Sequence, residues 1–187
     1  MKEPFLEPVL RKMRVNEVLP TIRRYPDCRL LDVGCGWDNL LLKTAEPFIG
    51  SGVGIDFKVR ESESARIKTI RMTMTASLPF EAESFDIVTM LAVLEHLSDP
   101  PGMMRETERI LKVGGRLVLT VPSKIARPVL QFLCHRLKII SEPEMRDHKQ
   151  YYDRGALKEL FSQTGMIIEH HRYFEMGMNN FCVVRKR

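Results

Sequence analysis

An α/β fold built on a doubly wound, mostly parallel sheet is what three stretches of this sequence predict. The first is Leu30-Leu31-Asp32-Val33-Gly34-Cys35-Gly36-Trp37-Asp38-Asn39-Leu40-Leu41. Leu30, Leu31 and Val33, interrupted by Asp32, read as a buried strand ending at a glycine. A second glycine and then an apolar-periodic segment follow: strand, tight turn, helix. The second stretch, Gly52-Val53-Gly54-Ile55-Asp56, is another apolar run, with its acid about 20 residues after the turn. The third is the series of apolar runs near 69–73, 85–91 and 115–121, with a helical pattern over about 100–112.

A helix is expected over about 5–24, with Leu6, Val9, Leu10 and Met13 on one face and Arg11, Lys12 and Arg14 off it. Strands follow at 29–33 and 52–56, separated by a helix after Asn39. At that helix start Asp38 and Asn39 offer capping oxygens. Phe57–Lys68 is short and polar, so its crossover helix is expected to be a single turn or missing. Asp99-Pro100-Pro101-Gly102 reads as a helix start, with Ser98 or Asp99 as cap and proline in the first turn. An amphipathic segment over 124–138 carries Ile125, Val129, Leu133 and Leu137 at helical spacing. Residues 139–152 read as a loop. Asp153 caps a helix to about Gln163, stopped at Gly165. Two antiparallel strands, 166–174 and 180–186, end the chain.

The glycine turn constrains the ligand. A dinucleotide-binding turn carries a third glycine, and here that place is Asn39. Asp38 sets a carboxylate where a pyrophosphate would sit. Acids at both ends of the loop suit a ligand that is neutral or positive there. S-adenosylmethionine, with an α-amino group and a sulfonium, is such a ligand. Asp56 is placed to accept hydrogen bonds from both ribose hydroxyls of an adenosine.

Taken with Leu78-Pro79-Phe80, Ser84-Phe85-Asp86, Leu94-Glu95-His96-Leu97 and Gly114-Gly115-Arg116-Leu117, these stretches resemble the class I S-adenosylmethionine-dependent methyltransferases. The resemblance runs from about Leu30 to Pro122 and is weaker over Asp147 to Arg187. It implies a Rossmann-like, seven-stranded sheet, parallel except for one strand. It implies S-adenosyl-L-methionine as cofactor, with S-adenosyl-L-homocysteine as product. The cofactor would be held by Asp32, Gly34, Cys35, Gly36, Asp56, Phe57, Thr75, Ala76, Ser77 and Leu91. Asp32 would order the turn near the cofactor amino group. Met74 stands where the family often has an acid for adenine N6, and a thioether cannot accept that hydrogen bond as a carboxylate does.

Composition bounds the rest. The chain has 187 residues, 44% of them hydrophobic, and reads as one methyltransferase domain. Within it, 1–27 is an N-terminal helical segment, 28–122 the cofactor-binding half and 123–187 the substrate-side half. Nothing in the sequence spans a membrane, and Met1-Lys2-Glu3-Pro4 opens no signal peptide. Cys28, Cys35, Cys134 and Cys182 form no zinc or disulfide spacing, which points to a reduced, cytoplasmic setting. The net charge of +5 is scattered, without a basic run. A nucleic-acid partner is therefore not expected. No metal site is expected.

The acceptor is expected to be a small molecule, with a lipid, quinone or glycolipid favoured by Leu130, Phe132, Met145 and Tyr151. An RNA- or protein-directed methyltransferase and a non-catalytic cofactor-binding protein are the alternatives. O-methylation would need a base, for which His148, beside Tyr151 and Tyr152, and His96 are the candidates. His170 and His171 are adjacent in a strand and point to opposite faces, which suits structural roles.

Overall fold

The computed structural model describes residues 7–74, 77–128 and 150–187. In chain order they form α1 (Glu7–Ile22), β1 (Arg29–Val33), α2 (Leu40–Ala45), β2 (Ser51–Asp56), β3 (Ser62–Glu63), β4 (Ile67–Arg71), β5 (Phe85–Leu91), α3 (Pro100–Ile110) and β6 (Leu111–Pro122). The helix Arg154–Ser162, called α4 here, and strands β7 (Met166–Phe174) and β8 (Asn179–Lys186) complete the fold. The strands make one sheet in the order β3-β4-β2-β1-β5-β6-β8-β7.

The central pairs β4–β2, β2–β1, β1–β5 and β5–β6 are parallel, and β8 lies antiparallel between β6 and β7. The chain winds outward from β1 through β2 to β4, then returns to lay β5 on the other side of β1. That reversal opens a crevice at the C-terminal ends of β1 and β5, where doubly wound sheets bind ligands.

Alternation along the strands feeds two cores. Leu31, Val88, Leu119 and Val184 pack with α3 and α4, through Met104 and Phe161. Their neighbours Leu30, Ile87, Val118 and Val183 face the opposite layer, with Val18 and Ile22 of α1 and Leu42 of α2. Successive strand side chains point to opposite faces, so each strand serves both cores.

The seven-stranded expectation is corrected to eight among the described residues. In place of the crossover helix in Phe57–Lys68 stands the two-residue β3, antiparallel to β4. The Ser62 and Thr69 hydroxyls hydrogen-bond at 2.8 Å, and Thr69 Oγ1 also donates to the Arg60 carbonyl at 2.7 Å. A polar segment with little apolar surface gains more from these bonds than from a helix that could bury nothing.

Two further expectations change. Val9 and Met13 are exposed at 53% and 42%, while α1 is anchored by Val15, Val18, Leu19 and Ile22. Leu6 lies outside the described residues. The inward face of the first half of α1 carries the expected Leu10 together with Glu7, Arg11 and Arg14, all partly buried. At the start of α2, Asn39 sits in the left-handed region at φ 46° and its side chain makes no cap. Asp38 pairs with Arg11 instead.

Asp99 Oδ1 accepts from Gly102 N at 2.9 Å with Pro100 opening α3, and Asp153 Oδ1 accepts from Ala156 N at 2.8 Å. Both are the caps the sequence predicts. Of the 124–138 segment, 126–128 are helical, and the rest lies outside the described residues.

Candidate cofactor and acceptor site

The glycine turn leaves β1 with Gly34 at φ 75° and Gly36 at φ 71°. Both values lie in the left-handed region that glycine adopts without steric cost. At Gly34 space is also lacking, since a Cβ would fall 2.3 Å from Val93 Cγ2.

The N–H groups of Gly34, Cys35 and Gly36 are already engaged. Gly34 N and Cys35 N donate to the Ile55 carbonyl at 2.8 and 3.2 Å, and Gly36 N donates to Asp56 Oδ2 at 3.1 Å. Anion-binding loops work by pointing such groups at the ligand. This turn presents none of the three, and Asp38 stands beside it, paired with Arg11 at 3.2 Å. The arrangement disfavours a pyrophosphate.

Two carboxyl groups frame the turn. Asp32 is 3% exposed, and Thr89 Oγ1 donates to its Oδ1 at 2.7 Å. Burial pushes its pKa up to about 7; the Thr89 hydroxyl opposes that rise and the charge of Asp56 adds to it. Asp56 ends β2, also buried, with Oδ1 accepting Lys58 N at 2.7 Å and Oδ2 accepting Gly36 N. An ionised carboxylate has about four lone-pair sites, so two bonds leave two for a ligand.

Phe57 follows with its ring 55% exposed, and Trp37 on the glycine turn is 57% exposed. Cys35 turns its side chain inward, its Sγ close enough to Gly54 that a Cβ there would lie 2.9 Å away. Ser77 is exposed, and Leu91 is half-buried at the end of β5. Thr75 and Ala76 lie outside the described residues. Met74 packs against the α3–α4 core.

Other motif residues hold the frame. Glu106 Oε1 of α3 accepts Leu78 N at 2.7 Å, and Arg109 Nη2 donates to the Phe80 carbonyl at 2.8 Å. Together they fix the Leu78-Pro79-Phe80 segment. Asp86 accepts Arg29 N at 2.8 Å and Lys112 Nζ at 2.7 Å, at the far edge of the sheet from the turn. These acids are structural.

Beyond β5 the chain makes a 3-10 turn over Leu94–His96. His96, one of the two expected bases, is exposed there; His148, the other, lies outside the described residues. The residue that sequence reasoning passed over is Glu95. It is 1% exposed, and neither of its carboxyl oxygens has a hydrogen-bond partner among the described residues. Burial pushes its pKa up to about 7. A charged residue inside an otherwise apolar Leu94-Glu95-His96-Leu97 turn was the available signal.

His171 Nε2 contacts Asn180 Oδ1 at 2.9 Å and His170 packs edge-on against Phe181, which makes both histidines parts of the β7–β8 hairpin. Among the described residues no cluster of His, Cys, Asp and Glu could hold a metal ion, and no helix is long and apolar enough to cross a membrane.

The reversal in strand order, the phosphate-averse glycine turn and the acid after β2 define a class, the S-adenosylmethionine-dependent methyltransferases of class I. A family model described as a methyltransferase domain matches residues 9–171, and the chain belongs to that family. It is 28% identical over 176 residues to a demethylmenaquinone methyltransferase of Staphylococcus saprophyticus, covering 80% of this chain and 75% of the relative. It is 25% identical over 170 residues to a ubiquinone biosynthesis O-methyltransferase of Vibrio cholerae, covering 84% and 68%. In fold it is similar to a SAM-dependent methyltransferase from Methanosarcina mazei, with a TM-score of 0.66 at 21% identity, covering 89% of this chain and 97% of that one.

Proposed function

We propose that this protein transfers the methyl group of S-adenosylmethionine to a hydroxyl of a small, lipid-like acceptor. The names of two relatives point to quinone-type compounds, and one of them names O-methylation. One observation carries the cofactor part. Two buried carboxyl groups, Asp32 and Asp56, flank a turn whose Gly34, Cys35 and Gly36 N–H groups are all engaged within the fold. Such a site suits a ligand that brings an ammonium and hydroxyls.

The residues present fit that ligand. Asp32 would hold the α-amino group, and Asp56 has lone pairs for the ribose hydroxyls. Phe57, 55% exposed, would contact the adenine, and Ser77, Leu91, Thr75 and Ala76 are the sequence's other candidates for it. Gly34, Cys35 and Gly36 let the ligand approach the backbone closely. When bound, S-adenosylmethionine supplies an electrophilic methyl group. The protein's own part is to align the acceptor with it and exclude water. The acceptor's proton must also be received, and His96 and His148 are the sequence's candidates for that.

Titration calorimetry tests the cofactor. S-adenosylmethionine and S-adenosylhomocysteine should bind, and NAD should give no heat. Binding of NAD alone would overturn the reading. Incubating the protein with methyl-labelled cofactor and fractionated metabolite extracts tests the acceptor, and label should appear in an ether of a lipid-soluble hydroxyl compound.

A further inference from the structure

The first half of α1 covers a set of buried polar atoms that the cofactor site does not use. Thr120 pairs with Phe181 across β6 and β8, and Asn179 pairs with Pro122. Positions two apart share a face, so Thr120, Asn179 and Phe181 face the layer that holds α1. On that face Thr120 Oγ1 and Asn179 Oδ1 are buried without hydrogen-bond partners among the described residues, and so is Glu175 Oε1 in the β7–β8 turn. Glu95 joins them from beyond β5.

The charges around Glu95 are countable. Arg14 and Glu7 of α1 both act on it, and its own charge reaches Tyr151 and Tyr152 ahead of α4. Arg127 acts on Tyr151 as well. Glu175 feels the same Arg14 and Glu7, together with Glu17. Arg14 pairs with Glu7 at 3.1 Å through Nη1, its buried Nε having no hydrogen-bond partner among the described residues, and Arg172 pairs with Glu17. Glu175 is held by the Asn179 side-chain amide. Among the described residues, Glu95 is the carboxyl group with both oxygens buried and no donor from another residue.

Buried polar atoms without partners are rare in folded proteins, and each calls for a reason. Several of them gathered at the C-terminal edge of one sheet, beside the cofactor turn, describe a ligand's hydrogen-bonding counterpart. We propose that Glu95 is the base that receives the acceptor's hydroxyl proton, within an acceptor pocket roofed by the first half of α1. This rests on the hydroxyl-acceptor reading above. The acceptor O–H bond breaks, the proton passes to a Glu95 carboxyl oxygen, and the electron pair stays on the acceptor oxygen, which becomes the nucleophile. Burial raises the affinity of that carboxyl for the proton, and its own backbone N–H, then Arg14, moderate the rise. A base poised near neutrality both accepts and releases protons readily.

The experiment compares wild type, Glu95→Gln and His96→Ala with labelled S-adenosylmethionine and two probe acceptors. The probes are 4-methylcatechol, neutral at mildly alkaline pH, and 4-nitrocatechol, already ionised there. Calorimetric binding of S-adenosylhomocysteine and the melting temperature are measured alongside. Gln matches Glu in size and breaks no partnership, so Glu95→Gln should fold and bind S-adenosylhomocysteine as wild type does. It should lose about 10²–10⁴-fold in kcat on 4-methylcatechol, the usual share of general base catalysis. It should lose little on 4-nitrocatechol, whose ionised oxygen can attack without a base.

Equal losses on both probes would reduce Glu95 to a shaping residue and overturn the proposal. So would a probe-selective loss in His96→Ala and not in Glu95→Gln. If wild type binds S-adenosylhomocysteine yet methylates neither probe, the hydroxyl-acceptor reading falls, and this assignment with it.

Discussion

Thr89 Oγ1 of β5 donates to Asp32 Oδ1 of β1 at 2.7 Å, with both side chains buried. The threonine hydroxyl also lies 3.3 Å from the Leu31 carbonyl. It is the donor that holds Asp32 toward its ionised form against burial. Thr89→Val keeps the shape and removes that donor. Hydrogen bonds to charged groups contribute about 1.5–3 kcal/mol, so S-adenosylhomocysteine affinity should fall by on the order of tenfold or more. Calorimetry on the folded variant checks this.

Asp32 and Glu95 share a pH signature. Burial raises both pKa values to about 7, above the unfolded carboxyl range near 4. Between those values the folded state keeps protons that the unfolded state has released. The stability of the ligand-free protein should therefore fall as pH rises from about 4 to 7, then level off. Denaturant midpoints measured across that range should show the slope, and Asp32→Asn should flatten part of it. A slope of the opposite sign would show that neither group is protonated in the fold.

Asp56→Asn should weaken cofactor binding by about 2 kcal/mol, through loss of a charged acceptor for hydroxyl groups. Asn preserves one oxygen for Gly36 N or Lys58 N but not for both. The loop should accordingly show faster amide exchange at one of these positions. Unchanged affinity would remove Asp56 from the ribose.

Gly34→Ala should abolish cofactor binding and lower the melting temperature. The new Cβ meets Val93 Cγ2 at 2.3 Å while φ stays at 75°. The left-handed conformation alone costs a non-glycine residue on the order of 1–2 kcal/mol. Adding Val93→Ala should relieve the clash but not the backbone cost, so the double variant should recover stability only in part. Full recovery would show that contact with Val93, and not φ, sets the need for glycine.

The fold from β1 to α3 was legible from sequence because its signals are local. A glycine at positive φ, an acid at a strand end and a proline-opened helix each follow from a few neighbouring residues. Gly34, Asp56 and Asp99 stand where such rules put them. The misses are tertiary. The inward face of the first half of α1 is mostly polar, so a search for apolar stripes selected Val9 and Met13, which point to solvent. Arg11 reaches Asp38 across 27 positions, and nothing nearby in sequence reveals that Asp38 is thereby withdrawn from capping α2. Glu95 was visible as a residue, but its isolation follows only from how α1, β5 and the β7–β8 turn close around it.

The ties that bind Gly34 and Cys35 to Ile55, and Gly36 to Asp56, also fix the shape of the cofactor turn before any ligand arrives. A loop already held in its working conformation spends little ordering entropy on association. Affinity gained that way differs in kind from affinity gained through more contacts, because product and substrate forms of the cofactor share it equally. The turn by itself gives no means of expelling the spent form. Exchange of one for the other must therefore be set by contacts outside the three engaged N–H groups of the turn.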